Sequence, residues 1–364
     1  MRAIVVTPPN KGAQLRDVPE PGPAPGEVKV RVLECGVCGT DRDIVDGAYG
    51  TAPAGRSDLI LGHENLGEVE SVGRGTVGWH RGDLVVATVR RGCGSCRFCR
   101  TNQSDFCETG RCQERGIRGL DGYLAEYYVE RPEYLVRVPA AIRPIGVLLE
   151  PLSIVEKAYV EGRHVLDRRG ATPGEPEESP PRALVAGTGA IGMLAALLLR
   201  SEGYEVTAID RHGEETPAAS VLEAVGAHHV DAAAGIEALG GERFELVLEA
   251  TGSAPLDFDL LRALGRNGVL VLTGIPPADR PPFPVAGGAL LRDLVLENQA
   301  VVGSVNANRR YFESGLRHLE RFRRRWGDTV ARLITERRPL DEFAPVLTDR
   351  TSGAMKSVLV VGGA

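Results

Sequence analysis

Short apolar runs, separated by glycine and proline, characterise roughly the first 150 residues of the chain. These β-rich runs cover residues 3–7, 27–33, 67–72, 84–89, 123–129 and 134–138. Short runs at such spacing are typical of antiparallel sheets and barrels. We therefore expect a compact, β-rich first domain.

The pattern changes at Ala183, where apolar strands begin to alternate with amphipathic helices. The predicted strands cover residues 183–186, 206–209, 246–250, 269–272 and 300–304, and the predicted helices cover residues 191–201, 218–225, 255–264 and 290–297. Thr216 and Pro217 provide an N-cap and a first-turn proline for the second of these helices. Alternation of this kind predicts a doubly wound parallel sheet in a second domain.

Two further segments flank this region. Residues 164–182 are rich in proline, glycine and acidic side chains, so we expect an exposed connection there. From Tyr311 onward, apolar side chains at steps of three and four predict an amphipathic helix with a solvated basic face. The apolar positions are Phe312, Leu316, Leu319, Phe322 and Trp326, and the basic ones are Arg317, Arg321, Arg323, Arg324 and Arg325.

Length and composition fit two globular domains and exclude several classes of function. The 364 residues are 43% hydrophobic and 25% charged, as in ordinary globular proteins. The net charge of −6 argues against a general nucleic-acid binder, which needs a basic surface. The longest uncharged apolar stretch, residues 183–199, is too short to span a bilayer. The N-terminus lacks the features of a signal peptide, so we expect a cytoplasmic protein.

Four of the seven cysteines follow the spacing C-x2-C-x2-C-x7-C, and they are Cys93, Cys96, Cys99 and Cys107. Seven cysteines are too few for a disulfide scaffold in a chain of this length, and the close spacing favours a metal. Four thiolates around Zn²⁺ form a closed tetrahedral site without a position for substrate, which predicts a structural zinc. An iron–sulfur cluster is the main alternative, although the last spacing differs from that of ferredoxin-type runs.

A second group of metal-binding residue types lies upstream, where Cys35 and Cys38 precede His63 and Glu64. A thiolate and an imidazole from separate loops are too few for a structural site and suit a catalytic zinc with an open coordination position. From these residues alone, a satisfied structural histidine and buried apolar cysteines remain the alternative.

Residues 187–192, Gly-Thr-Gly-Ala-Ile-Gly, follow a predicted strand and open a predicted helix. In this context GxGxxG is the fingerprint of a dinucleotide-binding βαβ unit. Gly187 makes the tight turn, Gly189 lets the pyrophosphate approach the backbone, and Gly192 lets helix and strand pack closely. The phosphates then lie at the positive end of the helix, at Ala190 and Ile191.

Asp210 lies 18 residues after Gly192, at the end of the second predicted strand. A carboxylate there accepts hydrogen bonds from the adenosine ribose and repels a 2′-phosphate, which predicts NAD over NADP. Arg211 leaves the use of both cofactors open. Residues after the other strand ends are candidates for lining the cofactor crevice, with ordinary loop residues as the alternative. They are Thr251, Thr273, Gly274, Ile275, Ser304 and Val305.

The stretch GHENLGEVESVG, followed by GDLVV and the four-cysteine loop, resembles the medium-chain, zinc-dependent alcohol and polyol dehydrogenases. Within that superfamily, RRGCGSCRFCRTNQSDFCETG, GIRGLDGYLAEYYVERPEYLVRVP and LLEPLSIVEKA most closely resemble the archaeal-type glucose 1-dehydrogenases. The resemblance implies an α/β fold in two parts. Residues 1–155 and 307–364 would form a GroES-like catalytic domain, interrupted by a Rossmann dinucleotide-binding domain at residues 156–306.

The same resemblance implies a catalytic zinc bound by Cys38 and His63, with Glu64 and Glu150 as carboxylate ligands that exchange with substrate oxygen. It also implies that Asp41 accepts a hydrogen bond from the far nitrogen of His63, which fixes the tautomer of the ring. Thr40 would contact the substrate hydroxyl and begin the path of the proton. The imidazole relay of typical alcohol dehydrogenases is replaced in this chain by residues 43–45, so the rest of that path stays open.

For the substrate, the resemblance implies that Glu114, Glu150 and Asn306 contact sugar hydroxyls. The expected reaction is oxidation of D-glucose at C1 to the lactone, with two zinc ions per chain and a homo-oligomeric assembly, a dimer or a tetramer. NAD preference departs from the resembled family, whose members often carry a neutral residue in place of Asp210 and use NADP. Other aldoses, a polyol or L-threonine are alternative substrates, and a dinucleotide-binding protein without catalysis is the alternative of another class.

Overall fold

The computed structural model describes residues 1–167, 180–211, 216–277, 281–349 and 354–362. The chain divides into two compact units. The first comprises Met1–Ser153, Asn306–Glu320 and Ile334–Ala364, and the second comprises Ile154–Val305 and Arg321–Leu333. Among the described residues, no helix combines the length and the apolar character needed to cross a membrane.

Strands and helices of the described ranges are numbered in chain order. The strands are β1 (Arg2–Val6), β2 (Gln14–Asp17), β3 (Val28–Val37), β4 (Leu59–Ile60), β5 (Glu64–Val72), β6 (Leu84–Ala87), β7 (Arg90–Arg91), β8 (Gln113–Arg115), β9 (Gly119–Leu120), β10 (Tyr127–Glu130), β11 (Leu135–Arg137), β12 (Arg182–Ala186), β13 (Glu205–Asp210), β14 (His228–Asp231), β15 (Phe244–Glu249), β16 (Leu264–Leu272), β17 (Ala300–Gly303), β18 (Ile334–Pro339) and β19 (Lys356–Val360). The α-helices are α1 (Gly39–Val45), α2 (Leu149–Asp167), α3 (Ala190–Ser201), α4 (Pro217–Ala224), α5 (Ala254–Leu260), α6 (Gly287–Leu296), α7 (Arg309–Trp326) and α8 (Phe343–Thr348). Short 3-10 helices cover Cys99–Thr101, Ser104–Phe106, Pro132–Tyr134, Ala140–Leu148, Ile236–Leu239, Leu261–Ala263, Gly327–Leu333 and Leu340–Glu342.

Mainly antiparallel sheets form the first unit, which confirms the β-rich prediction. Its largest sheet has the order β11-β6-β5-β3-β19-β18, and β10 also pairs with β3. β3 lies at the centre of this sheet, where it pairs with β5, β19 and β10. Its apolar side chains, including Val30, Val32 and Cys35, are fully buried. Smaller sheets have the orders β2-β1-β4 and β7-β8-β9. This arrangement places the strand ends of β3, β5 and β19 next to one another, where the candidate metal residues lie.

A parallel sheet of order β14-β13-β12-β15-β16-β17 forms the second unit and confirms the predicted doubly wound domain. Its interior strands are buried apolar runs, as expected for a sheet covered on both faces. Leu184, Phe244, Val247 and Leu270 contribute to one continuous core cluster. α4 begins as predicted, because Thr216 Oγ1 accepts a hydrogen bond from the Ala219 amide at 3.1 Å.

Several predicted boundaries are wrong. The helix predicted over residues 255–264 ends at Leu260, because Leu264 already pairs with Phe244 in the sheet. The strand predicted over residues 123–129 begins only at Tyr127. Residues 164–167 continue α2 instead of belonging to the predicted exposed connection, and residues 168–179 lie outside the described ranges. The sequence pattern does not predict β14, α1 or α2, and β14 is the polar run His-His-Val-Asp.

The amphipathic helix predicted from Tyr311 is confirmed as α7, with Phe312, Leu319 and Phe322 buried. The resemblance places residues 321–333 in the catalytic domain, yet in the structure they group with the second unit. The reason is their bonding within that unit. Arg321 pairs with Glu202, Arg325 donates to the Arg200 carbonyl at 3.1 Å, and Arg332 donates to Ser220 Oγ at 2.8 Å.

Candidate metal and dinucleotide sites

A turn at the end of β3 places Cys38 opposite His63. The Cys38 Sγ and His63 Nε2 atoms are 3.1 Å apart. Cys38 is the N-cap of α1, where its Sγ accepts from the Thr40 amide at 3.3 Å and its own amide donates to Asp41 Oδ2 at 3.0 Å. This capping box fixes the thiol at the helix start.

Asp41 also orients the His63 ring. Its Oδ1 atom lies 3.3 Å from His63 Nδ1, on the side of the ring opposite the thiol. Burial alone would lower the pKa of His63, but the charges of Cys38 and Asp41 raise that pKa well above its ordinary value. With the carboxylate on the Nδ1 side, Nε2 faces the Cys38 thiol, as in a histidine that shares a metal with a cysteine.

Glu64 follows at the start of β5, and its carboxylate is a potential ligand beside the first two. Ligand atoms of Cys38, His63 and Glu64 all lie within 4.8 Å of one another. Lys356 on β19 donates to Glu64 Oε1 at 2.7 Å and to Oε2 at 2.6 Å, and both side chains are buried. Gly36 leaves room for the carboxylate, since a Cβ atom there would lie 2.1 Å from Glu64 Oε2.

Glu150 lies in the first turn of α2 and is buried. Burial and the charge of Glu64 raise its pKa to about 7, against the lowering effects of His63 and Lys356. Glu150 is nevertheless outside the group of atoms within 4.8 Å of one another. One thiolate, one imidazole and one carboxylate, with a second carboxylate nearby, form the donor set typical of a zinc site with an exchangeable position.

The four-cysteine loop brings Cys93, Cys96, Cys99 and Cys107 together, with all four Sγ atoms within 4.8 Å of one another. Amide groups point at the sulfurs, as when the Cys96 amide donates to Cys93 Sγ at 3.4 Å. Gly92 is required by space, because a Cβ atom there would lie 2.5 Å from Cys99 Sγ. The set fits one tetrahedral zinc ion closed to substrate.

The glycine turn joins β12 to α3 in the second unit. Gly187 has φ +100, which favours glycine, and a Cβ atom at Gly192 would lie 1.8 Å from the Gly187 carbonyl oxygen. Gly189 is the N-cap of α3, where no side chain caps the helix. A Cβ atom at Gly189 would have no neighbouring atom within 4 Å, so the space in front of the helix start is open. Free amides at a helix start beside open space fit a pyrophosphate.

The other predicted cofactor residues follow the carboxyl ends of the same parallel strands. Asp210 ends β13 and lies 3.6 Å from His229 Nε2, measured from Oδ1, while the adjacent Arg211 is exposed. Loops after β15, β16 and β17 carry the remaining residues. They are Thr251, Thr273, Gly274, Ile275, Ser304 and Val305. A dinucleotide binds at this edge of an open α/β sheet.

Sequence profiles of two known families match the chain. The family described as "Alcohol dehydrogenase GroES-like domain" matches residues 24–140, and "Glucose dehydrogenase C-terminus" matches residues 143–361, more than half of the chain. Glucose 1-dehydrogenase of Methanocella arvoryzae is 43% identical over 343 residues, 93% of each chain. Glucose 1-dehydrogenase of Thermoproteus tenax is 43% identical over 345 residues, 94% of each chain. The chain belongs to the glucose dehydrogenase family.

A solved structure of this family has the same fold. Haloferax mediterranei glucose dehydrogenase, in complex with NADP, Zn and gluconolactone, matches with a TM-score of 0.88 and 31% identity over 100% of both chains. The predicted combination of a GroES-like domain with a Rossmann domain is therefore confirmed.

In this member of the glucose dehydrogenase family, the predicted sugar contacts lie in the first unit. Glu114 is buried on β8, and its Oε1 atom accepts from Arg90 Nη2 at 3.0 Å. Asn306 has φ 62, a left-handed conformation, and precedes α7 by three residues. Asn308, which follows it closely, donates to Asp105 Oδ1 at 2.7 Å.

The sequence pattern does not predict a role for Glu249, a buried carboxylate of the second unit. Glu249 ends β15, and its Oε1 accepts from the Thr251 amide and from Thr251 Oγ1, the latter at 2.6 Å. Its Oε2 accepts from the Gly274 amide at 3.1 Å. Glu249 thus connects two of the predicted crevice loops, a role for which a strand-end acid gives only a weak sequence signal. Burial and the charge of Glu249 also raise the pKa of Asp257 to about 6.

Proposed function

We propose that the protein oxidises D-glucose at C1 to the gluconolactone and passes the hydride to a nicotinamide dinucleotide, with zinc as the Lewis acid. The group of Cys38, His63 and Glu64 carries the proposal, because its ligand atoms lie together and the family matches cover residues 24–140 and 143–361 around it. Curated relatives at 43% identity are glucose 1-dehydrogenases, which supports glucose as the substrate.

Each residue of the group has a distinct task in this proposal. Zinc, when bound, stabilises the alkoxide form of the sugar hydroxyl. Cys38 and His63 hold the ion, and Asp41 keeps the His63 tautomer that presents Nε2. Glu64 and Glu150 supply carboxylates that exchange with substrate oxygen. Thr40 accepts a hydrogen bond from the substrate hydroxyl, and as it takes up that proton it passes its own hydroxyl proton on towards solvent.

For the cofactor, we propose that the turn of Gly187, Gly189 and Gly192 holds the pyrophosphate and that Asp210 binds the adenosine ribose. The acid favours NAD, although the Haloferax mediterranei relative was solved with NADP. Arg211 is exposed beside Asp210, so we expect measurable turnover with NADP as well.

Sugar selection is assigned to Glu114, Glu150 and Asn306. Carboxylates and an amide suit a polyhydroxylated substrate, because a site built to bond hydroxyl groups rejects analogues that lack them. Both carboxylates are buried. A second zinc in the four-cysteine loop stabilises that segment without taking part in the chemistry.

We propose that the protein assembles as a homo-oligomer through the exposed edge of the second unit. β17 is the edge strand of the parallel sheet. Large apolar side chains of β17 and of α6, the helix that precedes it in the chain, are exposed, among them Val301 on β17 and Leu291, Val295 and Leu296 on α6. Several exposed large apolar side chains on two neighbouring elements of the chain favour an interface there. All seven cysteines are free, which suits the reducing cytoplasm.

A panel of substrates tests the proposed activity. Glucose, galactose, xylose, sorbitol and L-threonine are each supplied with NAD and with NADP, and kcat/KM is measured from the absorbance of the reduced cofactor. The proposal expects glucose to give the largest kcat/KM, with NAD ahead of NADP. Preference for sorbitol or L-threonine would contradict the sugar assignment while leaving the zinc chemistry intact.

A further inference from the structure

The loop that carries the four cysteines also carries a buried acid without a place among the metal ligands. Asp105 lies in the 3-10 helix Ser104–Phe106, two residues before Cys107, and is 4% exposed. Its Oδ1 atom accepts from Asn308 Nδ2 at 2.7 Å, across 203 residues of sequence. The contact joins the cysteine loop to the segment that precedes α7.

Both polar atoms of the Asn308 side-chain amide are hydrogen-bonded. While Nδ2 donates to Asp105, its Oδ1 accepts from the Arg310 amide at 3.0 Å and so caps the start of α7. Asn306 lies two residues earlier in a left-handed conformation that depends on its surroundings. Loss of the Asp105 contact would therefore release the turn that presents Asn306.

The same acid has a second partner through its backbone. The Asp105 carbonyl accepts from Arg90 Nη1 at 3.0 Å, and the Nε and Nη2 atoms of Arg90 donate to Glu114 Oε1 at 3.1 and 3.0 Å. Arg90 and Glu114 have side chains only 14% and 6% exposed. A mostly shielded guanidinium with three hydrogen bonds permits little freedom to the carboxylate that it holds.

We propose that Asp105 is a positioning residue that couples the four-cysteine loop to sugar binding. Its side chain fixes Asn306 through Asn308, and its backbone carbonyl fixes Glu114 through Arg90. The proposal rests on the proposed function, which assigns sugar contacts to Asn306 and Glu114. It adds that the cysteine loop, besides stabilising the fold, sets the geometry of two sugar contacts that lie far apart in the sequence.

Two variants test the contact to Asn308 and the contact to Glu114 separately. Asp105→Ala removes the side-chain contact to Asn308, whereas Arg90→Met removes the contact to Glu114. Each is expected to raise KM for glucose about tenfold, the effect of losing one hydrogen bond to the sugar when Asn306 or Glu114 is displaced. The KM for NAD should stay within about twofold, because the cofactor residues belong to the other unit. Asp105→Asn keeps an acceptor for Asn308 and should restore most of the loss.

Glu108→Ala provides a matched control in the same loop, since Glu108 pairs with Arg97 at the surface, with side chains 45% and 72% exposed. This variant should leave KM for glucose unchanged. Zinc content is measured for every variant, and two ions per chain show that the loop itself remains intact.

Amide hydrogen exchange gives a readout that does not depend on sugar turnover. Asp105→Ala should raise exchange at residues 306–311, and Arg90→Met should raise it at residues 113–115. The coupling is overturned if zinc-replete Asp105→Ala shows wild-type exchange at residues 306–311 together with an unchanged KM. Wild-type protein that fails to oxidise glucose would overturn the proposed function, while raised exchange in the variants would still support the coupling.

Discussion

Lys356 donates hydrogen bonds to both carboxylate oxygens of Glu64, at 2.7 and 2.6 Å, and a third to the Val37 carbonyl at 3.2 Å. Lys356 and Glu64 are buried, in β19 and β5, and are separated by 292 residues of sequence. In the proposed zinc site, the ammonium group and the metal ion would compete for the same carboxylate. Such competition would give a physical reason for the proposed exchange of Glu64 with substrate oxygen.

Lys356→Met should free the Glu64 carboxylate and leave it buried without its cation. We expect the metal-free protein to lose about 3–5 kcal/mol of unfolding free energy, the usual cost of breaking a buried ion pair. In the cobalt-substituted protein, we expect weaker visible absorption, because Glu64 then raises the coordination number of the ion. Urea denaturation and the absorption spectrum measure the two effects. Lys356→Arg keeps the charge and serves as the control, and a Met variant with wild-type spectrum and stability would refute the competition.

Cys38→Ala and His63→Ala should each abolish turnover, by at least about 1,000-fold, because neither leaves enough ligands to hold a catalytic zinc. Metal analysis should find one zinc per chain in place of two, and NAD binding, measured by calorimetry, should be unchanged. Cys35→Ala is the matched control, since Cys35 is a buried thiol near the site but outside the metal group. Turnover that survives in both variants would refute the ligand assignment.

Asp210→Asn should raise the ratio of NADP to NAD use, measured as kcat/KM, by about tenfold or more. The carboxylate repels a 2′-phosphate and bonds the ribose hydroxyls, so its neutralisation favours NADP and weakens NAD. Asp231→Asn is the control, because Asp231 pairs with Asp210 in the sheet register at the end of β14 and is exposed. An unchanged cofactor ratio would mean that Asp210 faces away from the ribose.

Glu130 predicts a pH dependence of stability that is independent of the metal sites. Burial opposes ionisation, but the charges of Arg115 and Arg91 lower the pKa of Glu130 below its ordinary 4.5. Since the folded-state pKa is below the unfolded value, the stabilisation is present above about pH 4.5 and is lost as the pH falls through the folded-state pKa. Urea denaturation from pH 7 to pH 3 should show this loss. Glu130→Gln should be less stable at pH 7, and its stability should fall less steeply in acid. Glu133 is exposed, so Glu133→Gln should match the wild type. Parallel pH curves for all three proteins would argue against a stabilising role of the Glu130 charge.

The features that could be predicted from the sequence are local ones. The glycine turn at residues 187–192 and the four-cysteine loop each lie within fifteen residues, so spacing alone indicates their chemistry. Apolar runs likewise predict the central strands of the parallel sheet. The pattern does not predict β14, because that strand is short and polar. It does not predict α2, because the sequence of that helix continues into a segment rich in proline and glycine.

Apart from the contact between Asp41 and His63, which the resemblance implies, the supporting contacts could not be predicted, because they join residues that are distant in the chain. Lys356 and Glu64 are 292 residues apart in the sequence, and Asp105 and Asn308 are 203 apart, so only the tertiary structure brings each pair together. Neither lysine nor aspartate at these positions carries a motif. The resemblance implies which residues contact metal and sugar, while the structure shows the contacts that Lys356 and Asp105 make.

Transfer of deuterium from C1 tests the central proposal most directly. The protein is incubated with zinc, NAD and glucose deuterated at C1, and the reduced cofactor is analysed by mass spectrometry. Reduced cofactor with one deuterium, formed together with gluconolactone, is the predicted result. Reduced cofactor without deuterium, or no reduced cofactor from a zinc-replete protein that binds NAD, would contradict oxidation of glucose at C1.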